Sequence, residues 1–219
     1  MTSENVCGRY FLYNDMGLRL YSRLMKRTII IISLALAACG GDNGDVVSSR
    51  SPHPQSNPSA TVVILEFADF QCPACRVAHE KIVKPLLQAH GADIRYEFRH
   101  FPLRSIHRYA LDAAEAAECA ADQGKFWEFV DYAYIHQDDL NNEALLTWTK
   151  ELKLNVPLLE TCWKSRSKKS LVLAEYEEGR IMGVGGTPTF FVNGERVESG
   201  FDTLSAAIEE RLGAMKQRL

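Results

Sequence analysis

The chain has 219 residues, of which 46% are hydrophobic and 24% charged, and a net charge of −3. These values are ordinary for one globular domain with an appendage. They argue against a nucleic-acid-binding protein, because basic residues are not in excess and aromatic residues do not interleave with Arg or Lys.

The N-terminal region predicts export. Residues 25–27 are Met-Lys-Arg and precede an apolar run of about 10 residues that ends in small residues, the pattern of a secretory signal. This run is shorter than the roughly 20 residues that span a bilayer. Residues 1–24 resemble no processing signal, and we expect them to be a spurious or disordered extension that precedes the true start at Met25.

The apolar run ends in Leu36-Ala37-Ala38-Cys39-Gly40, which resembles the lipobox of bacterial lipoproteins. The resemblance implies a signal peptide at 25–38, cleavage before Cys39 and acylation of Cys39, where multiple acyl chains would anchor the protein stably. The alternative is ordinary cleavage after Ala38, which leaves a free thiol. Gly, Asp, Asn, Ser and Pro dominate the following segment, and we interpret residues 39–60 as a lipidated tether.

The elements after Thr61 predict an α/β domain that is interrupted once. Residues 62–67 form a nearly continuous apolar run, typical of a strand buried on both faces. Residues 73–89 predict a helix and 94–98 a second strand, and the helix between them suits a parallel crossover. Residues 61–104 and 185–219 are expected to form the α/β domain.

The intervening residues 105–184 predict an all-helical insertion. Alanines between 113 and 121 favour a helix, and Gly124 separates it from a second helix at 126–136. A third helix is expected to start at 141–143, a fourth near Pro157 and a fifth at 168–182. The strand pattern returns at 189–192, followed by an Asn193-Gly194 turn, a strand at 195–198 and a helix at 203–217.

The feature that carries chemistry is Cys72-Pro73-Ala74-Cys75, which lies between a predicted strand and a predicted helix. With Cys72 as the helix N-cap, Pro73 occupies the first helical position, where its missing N–H costs nothing. The Cys72 sulfur then faces unpaired amides and the positive end of the helix dipole, which favour the thiolate. Cys75 lies one turn further on, within disulfide distance and more buried, so the pair predicts a redox-active disulfide.

A zinc site is the alternative for this cysteine pair. His79 lies on the same predicted helix, but the sequence has no second pair of cysteines at this spacing to complete four ligands. We therefore expect no metal, and no cofactor beyond the disulfide itself.

Thr187-Pro188 immediately precedes a predicted strand, far from Cys72 in sequence. An ordinary trans proline at the start of a strand is one interpretation. A cis X–Pro bond is the other, and a conformation of that kind marks a specific structural requirement.

Three motifs together resemble the DsbA-like branch of the thioredoxin superfamily: residues 67–75 (Phe-Ala-Asp-Phe-Gln-Cys-Pro-Ala-Cys), 123–127 (Gln-Gly-Lys-Phe-Trp) and 183–194 (Gly-Val-Gly-Gly-Thr-Pro-Thr-Phe-Phe-Val-Asn-Gly). The resemblance covers roughly residues 60–217. It implies a thioredoxin fold with a helical domain inserted before a cis-proline strand. It also implies that Thr187 and Pro188 lie against the Cys72–Cys75 sulfurs and hold an extended substrate.

The resemblance gives a role to Glu66, and the sequence departs from the family at Ala74. Glu66 matches an acidic residue in the strand before the active site, where a buried carboxyl group would relay a proton to Cys75; a solvent-facing Glu66 at a sheet edge is the alternative. Asp69 is expected to be more exposed and only to cap the helix. Ala74 departs from the family, whose best-known oxidase has Pro-His between its cysteines, and we expect a milder oxidant.

Cys119 and Cys162 lie in the helical insertion. They are either two buried free thiols or a structural disulfide, since relatives often carry a cysteine pair at these positions and exported proteins meet oxidising conditions. A bridge would close a loop of about 40 residues. His100, His107 and His136 are interpreted as isolated packing or surface groups. Residues 164–169 are interpreted as a solvated basic helix junction, and a docking surface for acidic lipid or an acidic partner is the alternative.

The resulting hypothesis is a monomeric thiol–disulfide oxidoreductase at the periplasmic face of a bacterial membrane, oxidising thiols of unfolded or reduced exported polypeptides. The resemblance implies a quinone-linked membrane partner that reoxidises it. A reductase or isomerase with the same cysteines is the alternative, although the short tether leaves no room for the dimerisation domain of dedicated isomerases. From another class, a non-catalytic chaperone or assembly lipoprotein would use the same groove to hold extended chains.

Overall fold

The structure is a computed structural model that describes residues 53–217. The predicted extension at 1–24, the signal peptide at 25–38 and Cys39 lie outside the described residues. The strands are β1 (Gln55–Ser56), β2 (Val62–Ala68), β3 (Ile94–His100), β4 (Thr189–Val192) and β5 (Glu195–Val197). The helices are α1 (Pro73–Ala78), α2 (Lys84–His90), α3 (Ala110–Ala121), α4 (Phe126–Ile135), α5 (Asn142–Glu151), α6 (Val156–Lys164), α7 (Lys169–Ile181) and α8 (Phe201–Lys216).

The strands form one five-stranded mixed sheet in the order β1-β3-β2-β4-β5. β2 and β3 are parallel, as predicted, while β1, β4 and β5 each run antiparallel to a neighbour. A π-helical turn (His79–Val83) joins α1 to α2, so the crossover helix is continuous through its middle. This architecture is the expected thioredoxin fold with a helical insertion.

β2 lies at the centre of the sheet and its side chains contribute to both cores. Ile64 is fully buried in the larger cluster, and Phe67 is fully buried in a smaller cluster with Phe101 and Phe191. This two-sided burial is why its sequence is almost continuously apolar. Gly179 of α7 permits the smaller cluster to close, because a Cβ atom there would lie 2.7 Å from the Phe101 ring.

The helical insertion has the predicted five helices, but it begins later than predicted. Residues 105–109 form turns, and α3 starts at Ala110. The Cys119–Cys162 disulfide is present and joins α3 to α6, with Cα atoms 5.9 Å apart. The Asn193-Gly194 hairpin turn also forms, and both residues adopt the positive φ angles (49° and 86°) that such a tight turn requires.

Residues 53–60 differ from the predicted free tether. β1 pairs with β3, the His53 ring stacks on Phe126 at 4.3 Å between centroids, and His53 Nε2 lies 3.1 Å from Glu118 Oε2. A segment rich in Ser, Pro and Asn has no hydrophobic pattern that predicts this docking. The pairing of β1 with β3, the His53 ring and hydrogen bonds from Asn57 to the carbonyl oxygens of Ala92 and Ile94 attach it.

Candidate active site

Cys72 is the N-cap of α1 and Pro73 is the first helical residue, as the spacing predicted. Cys72 has φ −78° and ψ 118°, the extended conformation of an N-cap, and its carbonyl oxygen accepts a hydrogen bond from the Cys75 N–H at 3.1 Å. Cys72 is 6% exposed and Cys75 is fully buried, and both are free thiols. Cys72, the outer cysteine, therefore keeps a small exposed area, whereas Cys75, the inner cysteine, has none.

The two sulfurs also differ in acidity. The pKa of Cys72 is lowered to about 5. A hydrogen bond from the Cys75 side chain is the largest cause, and the Thr187 side chain and the backbone N–H groups of Ala74 and Cys75 contribute to the decrease, while burial opposes it. Burial raises the pKa of Cys75 well above its ordinary value, and the negative charges of Glu66 and Cys72 add to this rise. At neutral pH Cys72 is a thiolate and Cys75 is a thiol.

The Thr187–Pro188 peptide bond is cis, and it lies against the cysteines. The Cys72 Sγ atom is 3.4 Å from the Thr187 carbonyl oxygen, to which it donates in its thiol form. The Thr187 side chain lowers the pKa of both cysteines. The structure therefore brings together two motifs that are 115 residues apart in sequence.

Glu66 does not face solvent at a sheet edge. It is 1% exposed on central strand β2, and its carboxyl group accepts a short hydrogen bond from the hydroxyl of Tyr96. The pKa of Glu66 is raised to about 7, chiefly by burial and to a smaller extent by the charge of Cys72, while the Tyr96 hydrogen bond opposes the rise. A carboxyl group with this pKa can hold or release a proton near neutral pH.

The expectation of an exposed Asp69 is wrong. Asp69 is 2% exposed, and its carboxylate accepts hydrogen bonds from the backbone N–H of Gln71 at 2.7 Å, the backbone N–H of Leu103 at 2.8 Å and the ring of His107 at 2.8 Å. It ties the active-site loop to the segment after β3. A polar residue that follows a strand looks exposed in sequence, because two of its partners, Leu103 and His107, lie more than 30 residues away.

His100 and His107 are likewise not isolated. His107 pairs with Asp69 as described, and the fully buried His100 lies 3.0 Å from a Glu118 carboxylate oxygen. His136 packs in an aromatic cluster, stacked on Tyr132 at 4.2 Å between centroids. Within residues 53–217, none of these three histidines forms a hydrogen bond or a ring contact with Cys72 or Cys75.

Sequence reasoning missed Gln137, which holds the active-site loop from the helical insertion. Its side-chain amide donates hydrogen bonds to the carbonyl oxygens of Phe70 at 2.7 Å and Cys72 at 2.9 Å. Gln137 is 6% exposed in a turn of polar residues, where the sequence carries no signal for burial. Through it the insertion fixes the backbone from which Cys72 extends.

The basic segment 164–169 is partly neutralised by the acidic residues of α3. The Arg166 guanidinium pairs with Asp112 and, at 2.8 Å, with Glu115, and Lys168 Nζ lies 2.5 Å from Asp122. The segment acts as a helix junction that is fastened to α3.

Residues 53–217 contain neither a cluster of metal-ligating side chains nor a helix that could span a membrane. No group of three or more His, Cys, Asp or Glu side chains in this range is arranged to hold a metal ion. In the same range, no helix combines the length and the apolar character that are needed to cross a bilayer.

The fold and the site define a class: a thioredoxin-fold protein with a helical insertion, an outer cysteine at a helix N-cap, a buried inner cysteine and a cis-proline loop against them. Such an arrangement can exchange a dithiol for a disulfide, because the outer thiolate attacks and the inner sulfur resolves the mixed disulfide. The comparisons with known proteins agree with this class.

A family model described as "Thioredoxin" matches residues 49–210, about three quarters of the chain. The chain belongs to the thioredoxin family. Among curated proteins it is similar to "Na(+)/H(+) antiporter NhaA 3" of Salinispora tropica, with 38% identity over 76% of this chain and 26% of that protein. It is also similar to "Na(+)/H(+) antiporter NhaA 1" of Salinispora arenicola, with 37% identity and the same coverage. The chain thus spans about a quarter of the length of the curated relatives that it matches.

Solved structures share the fold. A thioredoxin-like oxidoreductase from Silicibacter pomeroyi superposes with a TM-score of 0.65 and 24% identity over 74% of this chain and 92% of that chain. BdbD from Bacillus subtilis superposes with a TM-score of 0.65 and 23% identity over 73% of this chain and 92% of that chain. Alpha-DsbA1 from Wolbachia pipientis superposes with a TM-score of 0.65 and 18% identity over 75% of this chain and 92% of that chain. At these identities the likeness establishes the thioredoxin fold with its helical insertion, and no more.

Proposed function

We propose that the chain is a thiol–disulfide oxidoreductase that introduces disulfides into exported polypeptides. The observation that carries the proposal is the contrast between the two sulfurs, a Cys72 with its pKa lowered to about 5 beside a buried Cys75 with its pKa raised. At neutral pH one sulfur is thereby a nucleophile and leaving group, and the other stays a thiol.

In the proposed reaction the oxidised Cys72–Cys75 disulfide is attacked at Cys72 by a substrate thiolate. A bond forms between the substrate sulfur and the Cys72 sulfur, the Cys72–Cys75 bond breaks, and its electron pair goes to Cys75. Glu66 then gives its proton to Cys75. A second substrate thiolate attacks the substrate sulfur of the mixed disulfide, which releases the Cys72 thiolate and a substrate disulfide.

The direction of exchange is inferred from the acidity of Cys72. Stabilising its thiolate stabilises the reduced protein, and each pKa unit is worth about 1.4 kcal/mol toward reduction of the disulfide. Ala74 adds no ionisable ring to this stabilisation. We therefore propose an oxidant that is milder than a protein with Pro-His between its cysteines.

The proposal is tested by the reduction potential of Cys72–Cys75 against glutathione. A potential well above that of thioredoxin, which is about −270 mV, is expected. A value as negative as thioredoxin's would indicate a reductase and contradict the oxidase assignment. A Cys72→Ala variant that still oxidises a dithiol peptide would instead indicate that the cysteine pair is not the active site, and would favour a non-catalytic chaperone.

Export and anchoring are part of the same proposal. The signal at 25–38 and the lipobox that ends in Cys39 support a protein held by lipid on the periplasmic side of a bacterial membrane, where a quinone-linked membrane protein would reoxidise it. The intact mass of the membrane-extracted protein tests this, because diacylglyceryl and acyl groups on Cys39 add a defined mass and fix the true N-terminus. An unmodified chain that starts at Met1 would contradict both inferences.

The antiporter activity in the names of the curated relatives is not carried over to this chain. The chain covers 26% of those proteins, and the family match accounts for the shared segment as a thioredoxin domain. The relationship supports only the proposal that this domain also occurs joined to membrane proteins.

A further inference from the structure

Tyr134 carries a buried hydroxyl group that the mechanism above does not use. It lies on α4 in the helical insertion and is 1% exposed. Within residues 53–217 its hydroxyl oxygen has no hydrogen-bond partner. Burying an unpaired hydroxyl group costs stability, and a phenylalanine at this position would avoid that cost.

The Tyr134 ring is held between residues on both sides of the cysteine pair. Its centroid lies 5.6 Å from that of Phe70, two residues before Cys72, and 4.9 Å from that of His79, one helical turn after Cys75. His79 is itself fixed, because its Nε2 lies 2.7 Å from an Asp131 carboxylate oxygen on the same helix as Tyr134. The ring is therefore fixed against the buried side of the active-site helix.

The charges of the active site act on this hydroxyl. Burial is the largest cause that raises the pKa of Tyr134 well above its ordinary value, followed by the charges of Cys75 and Glu66. The hydroxyl group thus stays protonated at the pH of the reaction and is available as a hydrogen-bond donor. Tyr96, the other buried tyrosine near this centre, already donates to Glu66.

We propose that the Tyr134 hydroxyl donates a hydrogen bond to the Cys75 sulfur while that sulfur carries negative charge during exchange. The inference rests on the proposed function. As the substrate sulfur bonds to Cys72 and the Cys72–Cys75 bond breaks, the electron pair arrives on a sulfur that burial makes a poor anion. Tyr134 stabilises this charge and keeps its own proton, and Glu66 then supplies the proton that makes Cys75 a thiol.

The test compares Tyr134→Phe with Tyr132→Phe in the full-length protein. Both variants remove one hydroxyl from α4, but the Tyr132 ring packs against His136 and Trp148, away from the cysteines. The measurement is the stopped-flow rate of reduction of the Cys72–Cys75 disulfide by a dithiol peptide between pH 5 and 9. Tyr134→Phe is expected to slow this step about 10-fold or more, the effect of losing one hydrogen bond to a charged group.

Two equilibrium readouts separate this role from a structural one. The midpoint potential of Tyr134→Phe at pH 7 is expected to match that of the wild type, because Cys75 is a neutral thiol in the reduced protein. The thermal unfolding temperature of the oxidised form is expected to stay the same or rise, since an unpaired buried hydroxyl is removed.

Each result decides the inference. A Tyr134→Phe rate indistinguishable from that of Tyr132→Phe at every pH overturns it, as does a rate loss explained entirely by a shifted potential. If Tyr134→Phe unfolds, 3,5-difluorotyrosine at position 134 replaces it: this stronger donor should not slow reduction, and a slower rate would contradict the role. A wild-type protein that fails to exchange disulfides contradicts the proposed function instead.

Discussion

Glu66 and Glu118 are both buried, at 1% and 3% exposure, yet their acidities are shifted in opposite directions. Burial raises the pKa of Glu66 to about 7, because the hydrogen bond that its carboxyl group accepts from the neutral hydroxyl of Tyr96 only partly opposes the effect of burial. Burial also disfavours the charged form of Glu118 and would raise its pKa, but hydrogen bonds from His100 and His53 lower that pKa to about 2. Partners, rather than burial, decide which buried carboxyl group can exchange a proton and which one holds the structure together.

The same contrast separates the two cysteine pairs. Cys72 and Cys75 lie at a helix N-terminus with their pKa values displaced in opposite directions, whereas Cys119 and Cys162 join two helices of the insertion. Cys119 follows Glu118 directly on α3. The bridge and the Glu118 ion pairs therefore act on the same helix.

The largest expected effect on stability comes from removing the structural bridge. Replacing both Cys119 and Cys162 by Ala opens a loop with a sequence separation of 43 residues, and the chain-entropy model predicts a loss of about 4 kcal/mol in the free energy of unfolding. Urea unfolding without reductant measures this. The rate of disulfide exchange by the folded protein should not change, and a loss of exchange activity would show that the two cysteine pairs are not independent.

Glu118→Gln is expected to destabilise the protein by about 3 kcal/mol at pH 7, at about 1.4 kcal/mol for each pKa unit. The folded pKa is below the unfolded one, so this stabilisation is complete above about pH 4.5 and is lost as the pH falls through about 2. The wild type and the variant should converge in urea unfolding near pH 2. Glu160→Gln, which breaks a surface pair with Lys164, is the control and should cost at most about 1 kcal/mol.

Glu66→Gln should change the stability of the protein in the opposite direction to Glu118→Gln. The folded pKa of Glu66 lies above the unfolded value of 4.5, so this group destabilises the reduced protein progressively as the pH rises from about 4.5 to about 7. The stability of the variant relative to the wild type should increase by about 3 kcal/mol between pH 4 and pH 8. The surface variant Glu80→Gln should show no such increase.

Kinetics tests the same residue as a proton donor. With glutamine at position 66, the rate of disulfide reduction should fall and should lose its dependence on pH near 7, because the amide cannot release a proton. A wild-type pH profile in Glu66→Gln would contradict the proton relay even if the stability change were found.

Local patterns were sufficient to predict β2 to β5, the helices and the reactive cysteines, but not β1. Short-range chemistry predicts the apolar strand β2, the position of Pro73 and the Asn193-Gly194 turn. Pro188 was assigned to the site only because its motif resembles that of a known family. Asp69, Gln137 and the docking of His53 were missed because each depends on partners that are distant in sequence. The turn at residues 105–109 was predicted as helix, since no strong breaker precedes the alanine-rich segment.

The smallest expected effect concerns Ala74, which is exposed in the first turn of α1 and whose backbone N–H already lowers the pKa of Cys72. Ala74→His places an imidazolium beside the Cys72 thiolate at pH values where the ring is protonated. The pKa of Cys72 should fall by up to about one unit, and the potential should rise by about 30 mV, equivalent to 1.4 kcal/mol for two electrons. Thiolate absorbance against pH and a glutathione titration measure the two shifts. Ala74→Gln is the neutral control, and an equal shift in that variant would mean that a longer side chain, rather than the imidazolium charge, stabilises the thiolate.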